Sequence, residues 1–165
     1  MNQLKCGFAY DLELVRDGKV IDRDRVYNLV PIQGLNYMLE TALRNGSPFA
    51  NFYVALYSGA YNPVPGDTAA TFPAAATELT AYSESTRRPL VLGAAAGGAT
   101  DNSANRAEFT GTTNGQLAQG GFIVSTPTKG AATGVLVSAV RFNSPKPLDA
   151  GNILRVTAAF TIVSI

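Results

Sequence analysis

Residues 153–163 constrain this chain more than any other stretch. Leu154, Val156, Ala158, Phe160 and Ile162 fall on one face, while Arg155, Thr157, Ala159 and Thr161 fall on the other. An apolar face and a hydroxyl-rich face at a period of two define a half-buried strand. A second strand is predicted over Val135–Phe142. Between them, Pro145 and Pro147 offer no N–H to a ladder, and Gly151 suits a tight turn. The two strands either pair antiparallel or lie in facing sheets, and form the floor for the other segments.

The 165 residues suffice for one domain with its own core. Charged residues are 15% of the chain, against about 25% in ordinary soluble proteins. Ala, Gly, Thr, Asn and Ser fill the difference. Because protein–protein interfaces are depleted in charge at their centres, this composition points to an assembly subunit. The 13 basic and 12 acidic residues are dispersed, with no basic block beyond Arg87-Arg88. Neither nucleic acid nor a membrane surface is therefore an expected partner. Cys6 is the sole cysteine, so no intrachain disulfide can form. Met1–Gly7 lacks the apolar core of a signal peptide, and no apolar run approaches the ~18 residues of a membrane span. The expectation is a chain made and kept in water.

Residues 7–30 read as a hairpin. Phe8, Tyr10, Leu12 and Leu14 alternate with Ala9, Asp11 and Glu13, and Asp17-Gly18 supplies the turn. The return strand over Val20–Leu29 has Ile21, Arg23, Arg25 and Tyr27 on one side and Val20, Asp22, Asp24 and Val26 on the other. Neither side is cleanly apolar, as befits a sheet edge or a projecting arm. A helix is predicted from Pro31 to Arg44, opened by proline and closed by Asn45-Gly46. Its stripe of Ile32, Leu35, Leu39 and Leu43 is expected to lie on an apolar surface. A buried strand follows over Asn51–Ser58. Residues 59–121 read as a long loop-rich insertion, with weak strands at 81–83, 89–92, 106–110 and 121–125. A helical turn is expected at Ala74–Leu79, and Gly93–Ala99 reads as a flexible or close-contact stretch. The whole is expected to be a single mainly-β domain over 1–165: an antiparallel β-sandwich, of jelly-roll topology, with one helix near 31–44 and an N-terminal arm or hairpin over 1–30.

The chain contains no histidine, which removes Ser-His-Asp and Cys-His nucleophile pairs and the usual zinc ligand sets. It has no GxGxxG or Gly-Lys-Ser/Thr phosphate loop. No cofactor or metal is expected. Two carboxylate pairs, Asp11 with Glu13 and Asp22 with Asp24, suggest a cation site or a carboxylate hydrolase. The interleaved Lys19, Arg23 and Arg25 favour a salt-bridged ribbon instead. Asp101–Asn105 begins like a calcium loop, but Arg106 and Thr112 stand where a glycine and a bidentate glutamate belong. The seven tyrosines (Tyr10, Tyr27, Tyr37, Tyr53, Tyr57, Tyr61, Tyr82) raise a glycan platform as an alternative to core packing.

Several stretches together carry a resemblance. Asn28-Leu29-Val30 leads into Gly34-Leu35 and Leu39, and Tyr53-Val54-Ala55-Leu56-Tyr57 follows. Then come Gly66-Asp67-Thr68, Glu78 with Tyr82, and Arg87-Arg88-Pro89. Ser138–Phe142 and Leu148–Leu154 close the pattern. Over about residues 28–165 the chain resembles virion structural proteins of tailed bacteriophages, the small head-decoration or cement proteins and related adaptor or fibre subunits. It departs from them in the Ala/Gly stretch around residue 95. The resemblance implies a non-enzymatic, homodimeric or homotrimeric protein on the outer capsid surface, assembled in the host cytoplasm and bound to the major capsid protein. The expected contact residues are Leu4, Tyr10, Arg23 and Arg25 in the arm and hairpin (Asn2 to Arg25), which would add a strand to a capsid edge, and Arg87, Arg88 and Arg106 in the 84–106 region. The alternative is a receptor- or glycan-binding module at a tail fibre or baseplate.

Overall fold

The computed structural model describes residues 4–164. Ten strands and two helices run in the order β1 (Leu4–Arg16), β2 (Lys19–Tyr27), α1 (Ile32–Leu43), β3 (Tyr53–Tyr57), α2 (Phe72–Ala75), β4 (Glu78–Leu79), β5 (Arg88–Pro89), β6 (Ala99–Asp101), β7 (Ala107–Thr110), β8 (Leu117–Val124), β9 (Leu136–Pro147) and β10 (Ile153–Ser164). The chain is mainly β, in two antiparallel sheets. The first has the order β2-β1-β10-β6, with β7 also on β10; the second has the order β4-β3-β8-β9, with β5 also on β3. The two C-terminal strands thus lie in facing sheets.

β1 and β10 pair from Leu4↔Ser164 to Val15↔Ile153. The N-terminal hairpin is therefore built into the first sheet, with β1 interior over most of its length and β2 at the edge. Its turn places Asp17 and Gly18 at φ 49° and 72°, the two left-handed residues that match the twist of the flanking strands.

One core lies between the sheets, built from Tyr10, Leu12, Val26, Leu154 and Val156 on one side and Val54, Leu56, Ile123, Val140 and Phe142 on the other. A second cluster lies on the opposite face of the second sheet. There Ala55, Tyr57, Phe122, Val124 and Ala139 are covered by Ala69, Phe72 and Ala76. The stretch 59–77 is thus a lid over this sheet. Phe72 stands edge-on to Tyr57 and Tyr61. The helical turn sits at Phe72–Ala75, earlier than Ala74–Leu79. The weak strand expected at 81–83 is reduced to a bridge between Tyr82 and Gly111, and the one expected at 121–125 is the end of the longer β8.

A polar seam joins the sheets along β2 and β9. Lys146, 2% exposed at its side chain, reaches Asp22 at 2.8 Å and Asp24 at 3.3 Å. Asn143 donates to Asp24 Oδ1 at 2.7 Å. Farther along, Asn28 Nδ2 donates to Ser138 Oγ, which also pairs with the Tyr10 hydroxyl at 2.6 Å. Leu29 then bridges to Ala139 and delivers the chain to α1.

Candidate contact surfaces

Helix α1 is held to the second sheet by small and polar residues. Gly34 is its one buried residue. A Cβ there would stand 2.8 Å from Val137 Cα and 2.9 Å from the Leu136 carbonyl. Val137 is the residue skipped where the β8–β9 register shifts, so a bulge and a glycine meet at close range. Gln33 Oε1 accepts from the backbone N–H groups of Leu136 and Ala69, both at 2.9 Å. Tyr37 packs with Phe49 and Phe52 at ring separations of 5.6 and 5.5 Å. Thr41 Oγ1 donates back to the Tyr37 carbonyl.

These contacts turn the apolar stripe outward. Ile32, Leu35, Leu39 and Leu43 are 54%, 37%, 55% and 78% exposed. The expectation that the stripe lies on an apolar surface of its own chain is corrected: the less exposed side of the helix carries buried Gly34 and half-buried Tyr37, Met38 and Thr41, with Tyr37 packed against the main core.

The outer face of the first sheet is charged. Glu13 accepts from Arg23 Nε at 3.2 Å and from Arg106 Nη1 at 2.9 Å. Arg25 lies 3.4 Å from Asp11, and Arg155 lies 2.7 Å from Glu108. All these side chains are at least partly exposed, where an ion pair contributes about 0–1 kcal/mol. Arg23 with Glu13, Arg25 with Asp11 and Arg155 with Glu108 stand directly opposite each other across strands, so they support register more than stability. Three of the expected contact residues, Arg23, Arg25 and Arg106, are brought together here.

The others are not. Tyr10 is fully buried, and its phenol is pushed well above the ordinary range by desolvation. Its apolar neighbours on the inward face of β1 put it in the core, so it is corrected from contact residue to core residue. Arg87 is likewise buried, paired with Glu78. Arg88 is half-buried, and its Nε has no hydrogen-bond partner among the described residues. The side chain of Leu4 and all of Asn2 lie outside the described residues. Along Leu4–Gly7, β1 has β10 on one side and no ladder partner on the other among the described residues, since β2 pairs only from Ala9 onward. Tyr27 stands 76% exposed at that open edge.

The carboxylates do not converge. Asp11 and Glu13 face outward, whereas Asp24 turns inward to Lys146. Burial opposes ionisation of Asp24, but the Asn143 hydrogen bond and the Lys146 charge outweigh it and hold the group below the usual carboxylate range. No cluster of three or more His, Cys, Asp or Glu side chains suited to a metal occurs among the described residues. Asp101 caps a turn, accepting from Ser103 N at 2.8 Å. The buried Asn102 beside it, which the sequence offers only as part of a calcium-like run, accepts from Ala158 N at 2.7 Å and donates to the Val156 carbonyl at 3.3 Å, stapling this loop to β10. Tyr57 and Tyr82 join Tyr10 in the interior, so these three tyrosines are lost to any surface platform.

Among the described residues, no helix is long and apolar enough to cross a membrane. No known protein-family model matches the chain. No curated protein matches it either.

Proposed function

We propose that this chain is a structural assembly protein: a bacteriophage head-decoration subunit that binds the major capsid protein on the outside of the shell and stabilises it as a homo-oligomer. The observation behind the assembly reading is the outward apolar stripe of α1. Four large aliphatic side chains are held toward water by a helix that is pinned at Gln33 and Gly34 and cannot roll inward. Exposed apolar patches of this kind mark interaction sites. The resemblance over residues 28–165 supplies the class of partner.

The mechanism is mass action. A subunit that binds only the assembled shell stabilises it by RT ln(1 + [L]/Kd), and several linked subunits raise the effect through avidity. The charged outer face with Arg23, Arg25 and Arg106 would orient the encounter, and the open edge of β1 at Leu4–Gly7 would accept or add a strand.

The test is co-sedimentation of the purified chain with empty shells, together with shell melting. Binding that saturates and raises the shell's melting temperature is expected. A chain that stays in the supernatant at every concentration and leaves shell melting unchanged would refute the capsid reading.

A further inference from the structure

We infer that α1 is a self-association helix: the outward stripe of one copy packs against the same stripe of a second copy. This rests on the reading of the chain as an assembly subunit and names the partner that the stripe takes.

Three observations converge on a copy of the chain. Ile32, Leu35, Leu39 and Ala42 are spaced three, four and three residues apart, as in the a and d seam of paired helices, with Leu43 beside it. Such a seam is self-complementary, because its knobs match the holes of an identical helix. The stripe is also free of charge. The two charged residues of this region, Glu40 and Arg44, pair with each other at 2.9 Å on the flank, so two identical stripes meet without like charges opposed. A partner selected by charge would find no handle here.

The third observation is size. Ile32, Leu35, Leu39 and Leu43 are all exposed and adjoin on one helix face, a patch on the order of a few hundred Å², the size at which an apolar surface marks an interaction site. Two such patches face to face stay below the ~1,000 Å² floor of a stable specific interface. That fits reversible, concentration-dependent association better than an obligate dimer. The geometry is already in place in the single chain, because Gln33 and Gly34 fix the roll of the helix.

The experiment is sedimentation equilibrium of the whole chain from low to high micromolar concentration. The weight-average mass is expected to rise above the 17.3 kDa of one chain. Leu39→Glu, at an exposed site that tolerates a good helix former, should weaken association about tenfold or more while leaving the circular dichroism spectrum unchanged. Leu35→Glu should do the same. Leu117→Glu, an exposed apolar position on β8, should leave association intact. A wild-type chain that keeps the mass of one copy throughout overturns the inference, as does a Leu39→Glu chain that associates like wild type. A monomer that binds shells through the stripe, and loses them on Leu39→Glu, would hand α1 to the capsid protein and leave the assembly reading standing. A chain that associates through α1 yet ignores shells would do the reverse.

Discussion

Arg87 and Glu78 form a forked ion pair inside the protein. Arg87 Nη2 lies 2.7 Å from Glu78 Oε2 and Nε lies 2.9 Å from Oε1, with the two side chains 0% and 3% exposed. Arg87 also donates to the Thr126 and Ala131 carbonyls at 3.0 and 2.9 Å, and Gly130 N donates to Glu78. One guanidinium therefore ties the 78–87 segment to the loop after β8. Removing one member of a buried pair strands the other charge and costs about 3–5 kcal/mol. Arg87→Met should lose that much in urea unfolding, whereas the double change with Glu78→Gln should lose markedly less. Equal losses in the two variants would count against a stranded charge.

Gly34→Ala sets two effects in opposition. Alanine gains about 1 kcal/mol in helix propensity, but its Cβ would press on the backbone of Leu136 and Val137. Backbone cannot yield as a side-chain tip does, and overpacking costs about 1–3 kcal/mol. The net expectation is a lower melting temperature. A rise would mean that α1 sits farther from β9 than 2.8 Å implies.

The α1 stripe should be nearly silent in the stability of the single chain. A core leucine cut to alanine costs about 2–5 kcal/mol, but surface changes stay within about 0.5 kcal/mol. Leu39→Ala and Leu43→Ala, measured by urea unfolding at concentrations too low for association, should fall in the second class. A loss of several kcal/mol would put the stripe back in the core.

Acid should weaken the β2–β9 seam. Asp24 is held below its ordinary value of 3.8 in the folded chain. A depressed carboxyl contributes stability that is complete above the unfolded value and lost as pH falls through the folded one. Wild-type stability should therefore drop as pH falls below about 4. Asp24→Asn should be less stable at neutral pH and show a shallower acid slope. Parallel slopes for the two proteins would remove Asp24 from the account.

Much of the scaffold was legible because its signals are local. Leu154, Val156 and Ala158 announce a half-buried strand by parity alone, and Asp17-Gly18 announces its turn by the φ that only a few residues accept. The ends of α1 were readable from Pro31 and Asn45. The roll of α1 was not, because an apolar stripe says only that something covers it, not that its own chain does. Gly34 was the available clue: a glycine inside a helix often marks a close approach. Arg87 was misplaced for a related reason. Nothing in the local sequence says that Glu78, nine positions earlier, waits inside to receive it. The 59–77 lid read as loop because its anchors, Tyr61, Ala69, Phe72 and Ala76, follow neither a period of two nor one of 3.6.

The ladder between β1 and β10 means that residues 4–15 must wait for residues 153–164, which are synthesised later. Before residues 153–164 leave the ribosome, Tyr10, Leu12 and Leu14 have no neighbour strand on that side, and the distance along the chain makes this closure slow. A polypeptide cut short within that final strand would keep an open edge and an unfinished core. Only copies that were read through this point can complete the first sheet and the core it shares with the second, so the topology itself separates finished molecules from truncated ones.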